Sequence, residues 1–213
     1  MKAVTSPQAQ VAEKPAKGKL RENVEALVIA ILLALFIRAF LIQPFKIPSG
    51  SMIPTILVGD QIFVSKFSYG IRMPFTNSVL LSTGRPKRGQ IVVFRYPVDR
   101  SKDFIKRVIG LPGDVVELRD RRLFINGKQI PDEHARYSLD IEIARRQKGL
   151  VDFGPVIIPA DKYLMMGDNR DNSSDSREWG FVDFADIRGK ALVIYWSWDH
   201  WKPRWSRIAN ILR

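Results

Sequence analysis

Apolar residues are massed near one end of this chain and alternate with polar ones over the rest. Residues 1–22 are polar, with Pro7, Pro15 and several Ala, Gln and Lys, and read as a mobile tail. From Val24 to Leu41 nearly every position is apolar, interrupted by Glu25 and Arg38. The uncharged run Ala26–Ile37 has 12 residues, about 18 Å as a helix and too short for a hydrocarbon core of ~30 Å. The whole stretch from Val24 through Arg38 to Leu41 has 18 residues, about 27 Å as a helix, with Arg38 close enough to the end for its guanidinium to reach the interface. A buried core helix and a cleaved secretory signal are the rival readings. The second lacks support, because Phe40-Leu41-Ile42-Gln43-Pro44-Phe45 holds no pair of small residues for cleavage. The pattern predicts an uncleaved transmembrane anchor over 23–41, after a cytoplasmic tail over 1–22. Lys14, Lys17, Lys19 and Arg21 before the apolar run point the N-terminus to the cytoplasm. The remainder, 42–213, then lies on the outer face.

Beyond Pro48 the period shortens to two. Asp60–Ser65, Gln90–Tyr96, Asp114–Leu118, Arg122–Ile125, Lys162–Met166 and Lys190–Trp196 read as strands. Asn126-Gly127 is a hairpin turn of the kind that needs positive φ, and Gly110-Leu111-Pro112-Gly113 is a further turn. Helical period is scarce, with one short candidate at Asp140–Lys148. Residues 131–160 look least regular and suggest an insertion. The predicted fold is mainly β: a mixed antiparallel sheet, barrel-like, with one N-terminal transmembrane helix.

Composition changes this picture little. Among 213 residues, 34 Lys and Arg against 22 Asp and Glu give a formal charge of +12. Residues 1–41 contribute six basic and three acidic side chains, so most of the excess belongs to the large domain. Such charge suits an anionic lipid surface or a nucleic acid, but no nucleic-acid-binding motif is recognisable. The absence of cysteine removes disulfides, thiolate metal sites and cysteine nucleophiles together. Two histidines, His134 and His200, leave poor material for a histidine-ligated metal or a Ser–His–Asp hydrolase.

Three stretches carry candidate chemistry. Pro48-Ser49-Gly50-Ser51-Met52 is a hydroxyl-bearing loop stiffened by Pro48 and Pro54; on its own it reads more readily as an ordinary polar loop. In Asp103-Phe104-Ile105-Lys106-Arg107-Val108, a strand would place Lys106 on an apolar face with Phe104 and Val108. Burial there lowers an amine's pKa towards the range of a general base, although a surface lysine is the commoner case. The run Gly167-Asp168-Asn169-Arg170-Asp171-Asn172-Ser173-Ser174-Asp175-Ser176-Arg177 is dense in carboxylates. It fails the calcium-loop pattern, since Trp179 and Val182 stand where a glutamate is required, and fits a turn of Asp–Arg pairs and side-chain caps better.

Taken in this order after one anchor, these stretches, with Gly59-Asp60 and Gly110-Leu111-Pro112-Gly113-Asp114, resemble the bacterial type I signal peptidases. The likeness covers most of 36–118 and 163–196. It implies a serine endopeptidase that removes N-terminal signal peptides from secretory preproteins after a small-x-small motif. Ser51 would be the nucleophile and Lys106 the base. Ser173 would orient the amine, Ser49 would join the Ser51 N–H in the oxyanion hole, and Asp175 with Arg177 would support the loop. Phe45, Ile47, Met52, Val93 and Ile105 fall where the family has shallow apolar pockets. The resemblance implies neither metal nor organic cofactor, and partners limited to preproteins and the bilayer of the bacterial inner membrane. Phe104 and Gln90 depart from the residues usual there, a tyrosine and an acid. Trp196, Trp198, Trp201 and Trp205, interleaved with Lys202, Arg204 and Arg207, suggest contact with lipid headgroups.

Overall fold

The computed structural model describes residues 18–72, 79–81, 83–147, 149–199 and 201–213. The expected tail therefore lies outside the described residues except for its last few positions, and His200 lies outside them too. Helix α1 spans Lys19–Phe40, starting ahead of the apolar run and ending one residue before Leu41. Leu27, Ile29, Leu32, Leu33, Leu35 and Phe36 are all exposed on it. Among the described residues no helix is long and apolar enough to cross a membrane.

The rest, from Arg38, forms a second compact unit. Its strands are β1 (Ile42–Lys46), β2 (Asp60–Ser65), β3 (Ile71–Arg72), β4 (Val79–Leu81), β5 (Ile91–Arg95), β6 (Asp103–Gly110), β7 (Val115–Arg119), β8 (Arg122–Ile125), β9 (Lys128–Gln129), β10 (Phe153–Ile157), β11 (Lys162–Met166), β12 (Val182–Asp183), β13 (Ile187–Asp199) and β14 (Lys202–Pro203). The main sheet runs β1-β2-β13-β5-β6-β11-β12, with β14 added to β13. Every strand pair described is antiparallel, so the sheet is not mixed. Two register shifts where the long β13 crosses β2 mark the bulges that let a sheet bend and curl. A second sheet, β10-β7-β8-β9, stands beside it.

The predicted strands appear with shifts of a few residues at most, apart from β13, which runs well past both ends of Lys190–Trp196. Asn126 and Gly127 take φ of 53° and 79° in the β8–β9 turn. The irregular insertion is partly ordered. Asp140 caps a short helix, α2 (Ile141–Arg145), by accepting from the Glu142 N–H at 2.8 Å. Phe153–Ile157 joins the second sheet, an extension hidden in the sequence because Gly154 and Pro155 break the alternation.

Alternation decides where the site sits. Ile91 and Val93 on β5 and Ile105 on β6 pack with Ile47, Met52, Ile56, Ile62 and Val64 in one apolar cluster. Val92, Phe94, Val108 and Phe104 point to the opposite face and a second cluster. Lys106, facing Val92 across the strand pair, therefore shares the apolar face of Phe104 and Val108.

Candidate active site

The loop from Pro48 to Gly59 is held as a compact turn. Ile53 N–H donates to Gly50 O at 3.1 Å and Ile56 N–H to Met52 O at 2.9 Å, while Met52 and Ile56 are fully buried beneath it. Its far side is pinned by Asp60, whose carboxylate accepts from Leu57 N–H, Ser197 Oγ and Arg207. Arg207 also donates to Thr55 O at 2.9 Å. Burial raises the pKa of Asp60, but Arg207 and the other donors outweigh it and hold the carboxyl below its ordinary value.

This turn sets Ser51 against Lys106. The amine nitrogen lies 2.7 Å from Ser51 Oγ and 3.1 Å from Ile105 O. Both side chains are buried, Lys106 at 4% exposure and Ser51 at 8%. Desolvation is the main influence on the amine and lowers its pKa from 10.5 to about 8; the charges of Asp175 and Asp168 pull the other way. The Phe104 ring lies 5.2 Å from the nitrogen and stacks on Tyr96. Of the two readings open in the sequence, a surface lysine and one on the apolar face of a strand, the structure has the second.

The carboxylate-rich stretch wraps around this pair as a self-satisfied turn. Asp168 receives Arg107 through two bonds of 2.8 and 2.7 Å, both side chains almost wholly buried, and Thr55 Oγ1 at 2.5 Å. Asp175 accepts Arg177 Nε and Nη2 at 2.8 Å each and Gly167 N–H at 3.0 Å. Asp175 also caps the short helix α3 (Ser176–Trp179). Asn169 reaches the Pro48–Gly59 loop twice, with its backbone N–H to Ser51 O and its side-chain Nδ2 to Gly50 O, both at 3.1 Å. Among the described residues no group of three or more acidic or histidine side chains could hold a metal ion.

The expected site residues come together unevenly. Ile47, Met52, Val93 and Ile105 share one cluster, with Phe45 packed against it. Ser49 is exposed two residues before Ser51. Ser173 does not bond to the amine in this structure: its Oγ is buried with no hydrogen-bond partner. It nevertheless lies at the site, since a Cβ built on Gly167 would fall 2.2 Å from Ser173 Oγ and 2.4 Å from Ser51 O. Missed in the sequence were the supporting roles of Arg107, Thr55 and Asn169. Only the neighbouring position of Arg107 and Lys106 hinted at them: adjacent strand residues point to opposite faces, so a second buried cation needs its own carboxylate.

A mainly β domain that buries a serine hydroxyl against a lysine amine belongs chemically with the serine proteases that use a lysine base. A family model for signal peptidase, peptidase S26, matches residues 20–196. A signal peptidase I of Pseudomonas fluorescens is 40% identical, over 99% of this chain and 84% of its own length. One from Pseudomonas aeruginosa is 36% identical, over 99% of this chain and 87% of its own. A crystal structure of a signal peptidase I from Enterococcus faecalis is 33% identical and covers 51% of this chain and 98% of that one, with a TM-score of 0.41. The chain belongs to the S26 family of signal peptidases.

Proposed function

We propose that this signal peptidase, which removes signal peptides from preproteins, does so with Ser51 as nucleophile and Lys106 as general base. The observation that carries the assignment is the buried 2.7 Å contact between the two side chains. Lys106 in its neutral form takes the Ser51 Oγ proton as Oγ bonds to the scissile carbonyl carbon. The resulting ammonium gives that proton to the departing amine, leaving an ester on Ser51. Water then attacks the ester, its proton passing to Lys106, and Ser51 is regenerated. The oxyanion is met by the Ser51 N–H and, at the open side of the loop, the Ser49 hydroxyl. Ser173 Oγ accepts from the amine once substrate closes the site, which gives its unpaired buried hydroxyl a partner. Asp175 and Arg177 keep Gly167, and with it that hydroxyl, in place.

Ile47, Met52, Val93 and Ile105 pack in one cluster with Phe45 beside them, and in this reading its surface supplies shallow apolar subsites. That favours small residues in a small-x-small motif. The apolar run Val24–Leu41, with its large side chains exposed along α1, is read as a membrane anchor. In this reading the tail is cytoplasmic and the catalytic domain sits on the outer face of the inner membrane. Trp201 and Trp205, 91% and 69% exposed, touch the headgroup layer.

Cleavage of a preprotein in detergent, with wild type, Ser51→Ala and Lys106→Ala compared, tests the assignment. Both variants are expected to fold and to lose nearly all turnover; robust cleavage by either overturns it.

A further inference from the structure

The part of the insertion between Asp132 and Leu139 has no role in the chemistry above, yet it is tied closely to the loop that reaches Ser51. Arg136 forms a parallel β-bridge with Asn169. Its N–H donates to Asp168 O at 2.7 Å, and its carbonyl accepts from Arg170 N–H at 2.9 Å. Asp132 pairs with the fully buried Arg170 guanidinium. One residue further on, Asp171 Oδ2 accepts from Ser138 N–H at 2.7 Å and Leu139 N–H at 2.8 Å. Arg121 bonds both Leu139 O and Asp171. Asp168, Arg170 and Asp171 are thus bonded directly to this strap, and Asn169 sits between two of those bonds.

On its other side the loop offers Asn169 to the nucleophile turn, and peptide geometry gives that contact a consequence. Gly50 C=O and Ser51 N–H belong to one planar peptide unit and point in opposite directions. Asn169 Nδ2 and Ile53 N–H both hold Gly50 O at 3.1 Å, so they fix the plane of that peptide and thereby aim the Ser51 N–H. We infer that the Asp132–Leu139 strap is a positioning element for acyl transfer: by bridging at Arg136 it seats Asn169 on Gly50 O, which orients the Ser51 N–H as an oxyanion donor. This rests on the Ser51–Lys106 reading. The strap would act on kcat, because an oxyanion donor matters most when negative charge develops.

The experiment uses the full chain in detergent and a preprotein substrate. It reads kcat and KM separately, per Ser51 counted with a serine-acylating reagent. Arg136→Pro removes the bridge donor and Arg136→Ala keeps it. Asn169→Ala removes the contact with Gly50. Arg136→Pro and Asn169→Ala are each expected to lower kcat by roughly tenfold, less than deletion of a whole oxyanion donor, with KM within about twofold. Arg136→Ala is expected to lose less than threefold. The double variant Arg136→Pro/Asn169→Ala should be no slower than Asn169→Ala alone, since both act on one bond. Additive losses, equal losses in the proline and alanine variants, or a change confined to KM overturn the strap. If Arg136→Pro has no melting transition, Asn169→Ala decides alone, and unchanged kcat in it overturns the proposal. Failure of the underlying reading looks different, because the reagent then does not label Ser51 in the wild type.

Discussion

Replacing Lys106 with methionine should make the protein more stable while abolishing turnover. The amine is buried, and desolvation lowers its pKa from 10.5 to about 8. At pH 7 the folded state therefore holds a proton that it binds far less tightly than the unfolded chain does. With about 1.36 kcal/mol for each tenfold difference in proton affinity, that gap makes the protein roughly 3 kcal/mol less stable at pH 7 than above pH 10.5. The sign follows from linkage: the unfolded chain binds more protons between the two values, so stability rises with pH across that interval and is flat below about pH 8. Methionine has a similar length and no charge, and its side chain adapts to irregular space. It forfeits the contacts with Ser51 Oγ and Ile105 O, at about 1 kcal/mol each. The net gain expected at pH 7 is about 1–3 kcal/mol. Urea unfolding of the two proteins from pH 6 to pH 10.5 measures it. Wild-type stability should climb relative to Lys106→Met above pH 8, and the variant's advantage should disappear by the top of the range. A variant less stable at pH 7, or a stability difference that does not change with pH, refutes the claim that burial holds this amine in its weakly basic state.

Three shorter predictions follow from the same geometry. The rate of preprotein cleavage under saturating substrate should rise tenfold per pH unit below an apparent pKa near 8, because only the unprotonated amine accepts the Ser51 proton; a rate independent of pH between 6 and 8 contradicts this. Gly167→Ala should cost at least a hundredfold in kcat, since its methyl group would fall 2.2 Å from Ser173 Oγ and 2.4 Å from Ser51 O and must displace one of them; steady-state kinetics on the folded variant decide it. Arg107→Met leaves the Asp168 carboxylate buried without its two-bond partner, and should lower stability by about 3–5 kcal/mol in urea unfolding.

The legible parts of the sequence were those governed by local rules. Period-two alternation placed β2, β8 and β11 almost to the residue, and Asn126-Gly127 marked its turn because few residues tolerate positive φ in succession. Lys106 was legible only in part: a strand there sets it with Phe104 and Val108, but the same pattern suits a surface lysine, and its burial comes from the folded chain. What stayed hidden depended on contacts distant in the chain. Phe153–Ile157 gains its strand character from β7, whose register partners run from Leu118 back to Val115, in spite of Gly154 and Pro155. The polar run 168–177 has the composition of a calcium loop, and only tertiary structure assigns each carboxylate its cation or N–H: Asp168 to Arg107, Asp171 to Arg121 and the Ser138 and Leu139 amides, Asp175 to Arg177.

That division has a physical reason that bears on the site itself. A strand needs only its own side chains and one neighbouring edge, so its signal lies within a few residues. A buried carboxylate is stable only when several donors from separate segments converge on it. Asp168 draws on β6 and on the turn that carries Ser51 through Arg107 and Thr55, while its own backbone carbonyl is held by the insertion through Arg136. The cost of leaving any of these partners unmade penalises conformations in which the three segments are apart. The same convergence that hides the arrangement from a reading along the chain therefore holds Ser51 in one geometry against an amine that, uncharged, binds its surroundings only weakly.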